Sequence, residues 1–187
     1  MILFKDDDDF QFFLAKYIKY FSSYLETYAY CLIPNHFHFL IRVKNREEIE
    51  IGAIKEQTKA IKRFISEEIS INELLSNQFK RFFSSVSIKY NNKYKHEGPI
   101  FIRKLKRIKV SKNGTIQYLV CYIHHNPIHH GLANNFEDWN FSSYNSYYSK
   151  HSTNIAKNIM LEWLGGLNVF DEIHDSLKIE RKEVNLE

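Results

Sequence analysis

Only two cysteines, Cys31 and Cys121, occur in 187 residues, too few for a disulfide scaffold or a cysteine-based zinc site. Both sit in apolar periodic segments and read as core. No apolar run approaches membrane-spanning length; the longest, Cys31 to Ile41, is interrupted by Pro34, Asn35, His36 and His38. The opening Met1-Ile2-Leu3-Phe4 runs straight into Asp6-Asp7-Asp8-Asp9, the opposite of a secretory signal, so the expected location is the cytoplasm and no membrane partner is expected. Long linkers and internal repeats are also missing. With 44% apolar and 26% charged residues, this describes a globular chain: one domain over 1–150, then a C-terminal helix and charged tail over 151–187.

Acid is scarce in one stretch. Lys80, Arg81, Lys89, Lys93, Lys95, Arg103, Lys104, Lys106, Arg107, Lys109 and Lys112 face a single acid there, Glu97. Tyr90 and Tyr94 lie among them. Basic residues interleaved with aromatics suit a phosphate backbone and stackable bases; a solvated face of a helix and an edge strand gives the same pattern.

What is present is periodic. Phe10, Phe13, Leu14, Tyr17, Ile18 and Phe21 predict a helix over 8–24, with the Asp run at its N-terminus as a cap. Residues 28–33 and 36–43 read as two strands broken by Pro34-Asn35, an antiparallel hairpin. A polar helix over 46–70 and a second over 72–95 follow, the latter ended by Gly98-Pro99. Residues 101–110 read as a strand with a basic outer face, and 111–114 as a turn. A helix over 115–125 is expected to stop at Asn126-Pro127, because the residue before proline disfavours helical backbone. A short helix near 155–164 and a charged tail finish the chain. The order helix–strand–strand–helix–strand–helix fits an α+β layer fold.

His36-Phe37-His38 on the second strand is the most informative triplet. Alternation puts both imidazoles on one face and Phe37 and Phe39 on the other, a half-site for a divalent metal. Tyr122 and Asn126, four apart on the 115–126 helix, share a face. Two imidazoles, one amide oxygen and open positions suit Mg²⁺ or Mn²⁺ more than a closed structural zinc. Such a metal polarises a phosphodiester while Tyr122 attacks phosphorus in line. Each piece has a structural counterpart: a tyrosine in an apolar stripe is usually core, Tyr118 competes for the same role, and Asn before Pro is an ordinary helix stop. His124, His125, His129 and His130 resemble further ligands, but histidines around a helix end more often meet solvent or phosphate.

The combination resembles the HUH single-tyrosine transposases of small insertion sequences, and among them the branch of REP-associated tyrosine transposase-like proteins. The resemblance runs from about Ile2 to Tyr148. It is carried by the run from Tyr30 to Ile41, by Gln78-Phe79 with Lys89-Tyr90-Asn91, by Gly98-Pro99-Ile100-Phe101, by the run from Tyr122 to Gly131, and by Asp138 to Tyr144. It implies a ferredoxin-like HUH fold: an antiparallel sheet carrying His36 and His38 as the metal pair, and a helix carrying Tyr122 as nucleophile with Asn126 as the third polar group. Tyr118 does not fall at the family's tyrosine position. The implied activity is metal-dependent cleavage and rejoining of single-stranded DNA, commonly near hairpins, through a covalent 5′-phosphotyrosine, with the protein acting as monomer or homodimer. Lys80, Arg81, Lys89, Lys93, Lys95, Arg103, Lys104, Lys106 and Arg107 are the expected DNA contacts. Family members usually carry a strand and glycine turn before the first helix, so the sheet is expected to lack that first strand. The alternative is a truncated, catalytically impaired DNA-binding relative of the same fold. A single-stranded RNA binder rests only on basic-aromatic character, and histidine-triad hydrolases need a histidine where Leu40 stands.

Overall fold

Apolar residues at spacings of three and four bury one face of α1 (Asp7–Phe21), namely Phe10, Phe13, Tyr17 and Phe21. The computed structural model describes residues 1–52, 58–101, 105–110 and 113–176. The chain forms two units, one of residues 1–26 and 42–104, the other of residues 27–41 and 105–187.

In the first unit, Asp6 caps α1 by accepting from the Asp9 N–H at 3.1 Å. Asp7, Asp8 and Asp9 place negative charge at the positive end of the helix dipole. The buried face of α1 packs on α4 (Ile71–Tyr94), where the Phe82 ring lies 4.9 Å from Phe13 and 5.3 Å from Phe21. Between them in sequence lie α2 (Arg46–Gly52) and α3 (Lys59–Ile65). The single helix expected over 46–70 is therefore two. Thr58 is extended and caps α3 through the Ile61 N–H, Glu67 takes a positive φ of 63°, and Ser70 is extended again to cap α4. Hydroxyl side chains compete for backbone donors in this way and end helices. Residues 53–57 lie outside the described ones. Arg42 donates to Glu26 at 2.8 Å and, through both terminal nitrogens, to Glu48 at 2.9 and 2.7 Å.

Strands β1 (Leu25–Ile33) and β2 (His36–Val43) form a two-stranded sheet, antiparallel because two residues, Pro34 and Asn35, join them. Their ends at 25–26 and 42–43 belong to the first unit and the rest to the second. On its other side β1 meets residues 141–143: Leu32 N–H donates to the Phe141 carbonyl and Ser143 N–H to the Tyr30 carbonyl, each at 2.9 Å. Helix α5 (Asn113–His129), a 3₁₀ turn (Phe136–Asp138), α6 (Tyr144–Tyr148), α7 (Lys157–Leu164) and α8 (Leu167–Ser176) complete the second unit. Its core joins Tyr28, Ala29, Cys31 and Ile33 of β1 to Val120 and Ile123 of α5, Tyr147 of α6, Met160 and Leu164 of α7 and Phe170 of α8. Both cysteines are buried, and burial pushes the Cys121 thiol up to about 12.

Three expectations are corrected here. Helix α5 does not stop at Asn126-Pro127 but runs through Pro127 to His129. The missing N–H costs one bond in the last turn, and the end is closed instead by Leu132 N–H to the Pro127 carbonyl at 2.8 Å and Gly131 N–H to Ile128 at 3.0 Å. Gly131, at φ +67°, supplies the left-handed residue this closure needs. Residues 105–110 form no strand. Leu105 and Ile108 are exposed along with Lys106, Arg107 and Lys109, so most of that segment's alternation has no buried face to hold it to a sheet. Finally, the charged tail contains α8, whose Phe170 and His174 are buried; residues 177–187 lie outside the described ones. Helices with a small antiparallel sheet make this an α+β fold. Among the described residues, no helix is long and apolar enough to cross a membrane.

Candidate metal and nucleophile site

Strand β2 projects His36 and His38 to one side, their ring centroids 5.0 Å apart and perpendicular. Helix α5 brings Tyr122 and Asn126 to them. The Tyr122 ring meets the His38 ring edge-on at 5.6 Å between centroids, and the His36 Nε2 lies 3.4 Å from the Asn126 Oδ1. Tyr118, one turn earlier on α5, stacks on the Tyr122 ring at 6.2 Å between centroids.

Hydrogen bonds fix which atoms face inward. Asn126 Nδ2 donates to the Tyr122 carbonyl at 3.1 Å, so its oxygen is the atom turned to His36. His36 Nδ1 lies 2.8 Å from Asn35 Oδ1, which can only accept, so that nitrogen carries the proton. Neutral His36 then presents a bare lone pair at Nε2 to the lone pairs of Asn126 Oδ1. Beside them, His38 Nε2 is buried and has no hydrogen-bond partner. Asn126 is close enough to favour a proton on His38 slightly, but no normal hydrogen bond joins it to Nε2. A bare His36 Nε2, a buried His38 Nε2 without a partner and an amide oxygen are a donor set that fits a divalent cation.

Electrostatics keeps these nitrogens available. Burial, then the nearby His36 and His130, hold His38 down to about 4. Burial also lowers His36, against a smaller opposing effect of Asn126. Both rings are thus neutral near pH 7, the state that ligates metal.

The other histidines of α5, with His130 just past its end, divide. His129 and His130 are exposed, and His125 is partly buried; the His130 ring lies 5.2 Å from that of His36. His124 is 1% exposed, contrary to the expectation that these side chains meet solvent. It anchors a chain of hydrogen bonds that sequence reasoning missed. His174 Nδ1 donates to the Phe170 carbonyl at 2.7 Å. Its Nε2 therefore accepts from His124 Nδ1 at 2.9 Å, and His124 Nε2 accepts from the Ser143 hydroxyl at 2.7 Å. Ser143 Oγ in turn accepts from the Tyr30 N–H at 2.8 Å; its 3.3 Å approach to the Tyr30 carbonyl is the weaker use of the one hydroxyl proton. Burial, and secondarily His174, push His124 well below its usual range. This chain ties β1 to α5 and α8, two residues from Asn126.

The expected DNA contacts also divide. Lys89 pairs with Asp8 at 2.9 Å, and Lys93 with Asp6, Asp8 and Asp9 at 2.7, 3.1 and 2.9 Å. Asp6, Asp8 and Asp9 are the one group of three His, Cys, Asp or Glu side chains among the described residues with ligand atoms mutually within 4.8 Å, and the Lys93 ammonium already answers their charge. Lys80 and Arg81 are exposed on α4. With Tyr20, Ser84, Ser85 and Ile88 they line an open groove of about 470 Å³, where the Arg81 guanidinium lies 5.5 Å from the Tyr20 ring centroid. Lys95, Lys106 and Arg107 are exposed. Arg103 and Lys104 lie outside the described residues.

The chain is 25% identical over 144 residues to a protein of Haemophilus influenzae named "Putative REP-associated tyrosine transposase", a span covering 71% of each chain. No family model and no solved structure matches it.

Proposed function

We propose that this protein is a single-tyrosine HUH transposase-like enzyme that cuts and rejoins single-stranded DNA, with Tyr122 as nucleophile. The observation that carries the reading is the meeting of β2 and α5: His38 against Tyr122, and His36 against Asn126, with a bare His36 Nε2 and a buried, unpartnered His38 Nε2. The similarity to a protein named as a transposase supports it.

His36 Nε2, His38 Nε2 and Asn126 Oδ1 are the atoms that would hold Mg²⁺ or Mn²⁺. When bound, such a dication polarises a phosphodiester and offsets the charge growing on it. The remaining chemistry belongs to side chains. The Tyr122 oxygen, losing its proton to solvent, forms a bond to phosphorus. The P–O3′ bond breaks, and its electron pair leaves on the 3′ oxygen, which takes up a proton. The products are a free 3′-hydroxyl and a 5′-phosphate ester of Tyr122. Rejoining is the reverse: a 3′-hydroxyl attacks the phosphotyrosine and releases the phenol. Asn126 holds the geometry by tying its amide to the Tyr122 carbonyl. Exposed Lys80 and Arg81, beside Tyr20, supply charge and a ring for a strand.

The test is incubation of the purified protein with labelled DNA hairpins bearing single-stranded flanks, in Mg²⁺ or Mn²⁺. The expected result is a protein–DNA adduct that survives denaturation and disappears in Tyr122→Phe. An adduct unchanged by that substitution removes Tyr122 from the role. Salt-sensitive DNA binding with no adduct in the native chain would favour the catalytically impaired reading.

A further inference from the structure

We propose that His130 is a third imidazole donor of this site, which makes the site prefer a transition-metal dication such as Mn²⁺, Co²⁺ or Zn²⁺ over Mg²⁺. This rests on the reading above that His36, His38 and Asn126 hold a metal. Tyr122 and Asn126 on α5 and His130 just past its end follow one another at spacings of four, and the His130 N–H still bonds to the Asn126 carbonyl, so the three lie along one flank. The His130 ring lies 5.2 Å from the His36 ring, nearly the separation of His36 from His38, 5.0 Å. His36 therefore sits between two imidazoles, one on its own strand and one on the helix end.

The backbone beneath His130 is fixed. Its N–H donates to the Asn126 carbonyl at 3.0 Å, and the Gly131–Leu132 closure pins the next two residues. The side chain, by contrast, is exposed and adjusts by rotation about its own bonds. That freedom is needed: the three rings do not yet bring one nitrogen each within 4.8 Å of the others, so ligation draws the His130 ring inward. A charge on His130 is felt at both His36 and His38, in keeping with the ring separation.

A third nitrogen changes what the site selects. Mg²⁺ prefers oxygen donors and gives up its waters reluctantly. Imidazole favours the later first-row dications, whose affinity for nitrogen sites exceeds that of Mg²⁺. With two imidazoles and an amide the site is mixed; with three it leans to nitrogen.

The test is metal binding, independent of catalysis: calorimetric titration of the full chain with Mg²⁺, Mn²⁺, Co²⁺ and Zn²⁺, and visible absorption of the Co²⁺ form. Four proteins are compared: the native chain, His130→Ala, the exposed neighbour His129→Ala, and His36→Ala. We expect Co²⁺ to bind more tightly than Mg²⁺, and His130→Ala to lose about tenfold or more in Co²⁺ affinity. Its absorption band should shift, with Mg²⁺ affinity and the His129→Ala protein little changed. Unchanged Co²⁺ affinity and spectrum in His130→Ala overturn the inference while loss of binding in His36→Ala keeps the parent reading. Equal losses in His129→Ala and His130→Ala also overturn it, since they reflect surface histidines in general. If His36→Ala binds as the native chain does, the parent reading fails and takes this inference with it.

Discussion

At the scale of single residues, charge alone does not identify a nucleic-acid contact; what matters is what already answers it. Lys89 and Lys93 are held by Asp6, Asp8 and Asp9, while Lys80 and Arg81 open onto a groove beside Tyr20. Replacing Lys80 and Arg81 together by Ala is therefore expected to flatten the dependence of log affinity for single-stranded DNA on log salt. The slope should fall by about one for each phosphate that the variant no longer neutralises. The Lys89, Lys93 double replacement should leave that slope nearly unchanged and instead loosen α1 from α4. Salt titrations by fluorescence anisotropy read the first effect and thermal melts the second. Equal slopes in the two double variants would show that the paired lysines bind DNA as well. The sequence displays all four side chains with equal prominence, because the Asp residues that distinguish them lie about eighty positions away.

Elements were legible where one face is strongly apolar and hidden where the signal is diluted. The first helix, the hairpin and α4 follow from spacing because Phe, Tyr and Leu recur without interruption. Helix α8 was invisible because Asp171, Glu172 and Asp175 surround Phe170, Ile173 and His174 and make the segment read as a tail. Yet α8 supplies the acceptor for His124. His174→Ala is expected to destabilise the second unit by about 3 kcal/mol, through a cavity and a buried donor left unmet. His174→Phe, which keeps the volume and loses only the bond, should cost less. Urea unfolding of the full chain measures both; identical stabilities in the two variants would mean that the hydrogen bond, not the packing of the ring, accounts for what His174 contributes. The end of α5 misled for another reason. Proline ends helices when its missing donor is needed, and in the last turn, with Gly131 closing the end, it is not. The alternation that placed His36 and His38 on one face of a strand, and the spacing that paired Tyr122 with Asn126, were both readable. The direction of each hydrogen bond was not, since it depends on Asn35, Tyr30 and Ser143, whose positions follow from the path of the backbone.

For the whole molecule, acid should act differently on the two units. In the second, burial lowers His124 and His174 below their usual range. An unfolded chain takes up those protons first, so the unit is fully stable above about pH 6.5 and loses stability as pH falls below that value toward the lowered folded values. In the first unit, Arg42 and the Asn45 backbone hold Glu48 down to about 2. Its contribution is present above the ordinary carboxylate value near 4.5 and disappears as pH falls from there toward 2. Amide hydrogen exchange followed from about pH 7 to pH 4 should thus show protection falling in α5 and α8 while α4 and the Arg42 region keep theirs. Uniform loss across both units over that range contradicts this order.

The chain of bonds from Tyr30 to Phe170 can be written in only one direction. A carbonyl closes one end and an amide opens the other, so with both rings neutral every intervening proton has a single address. Shortening the polypeptide anywhere before His174 would leave the proton of His124 pointing at nothing in a dry interior. Engineers trimming this protein to its histidine strand and tyrosine helix would find that the ten residues of α8 were part of the scaffold all along.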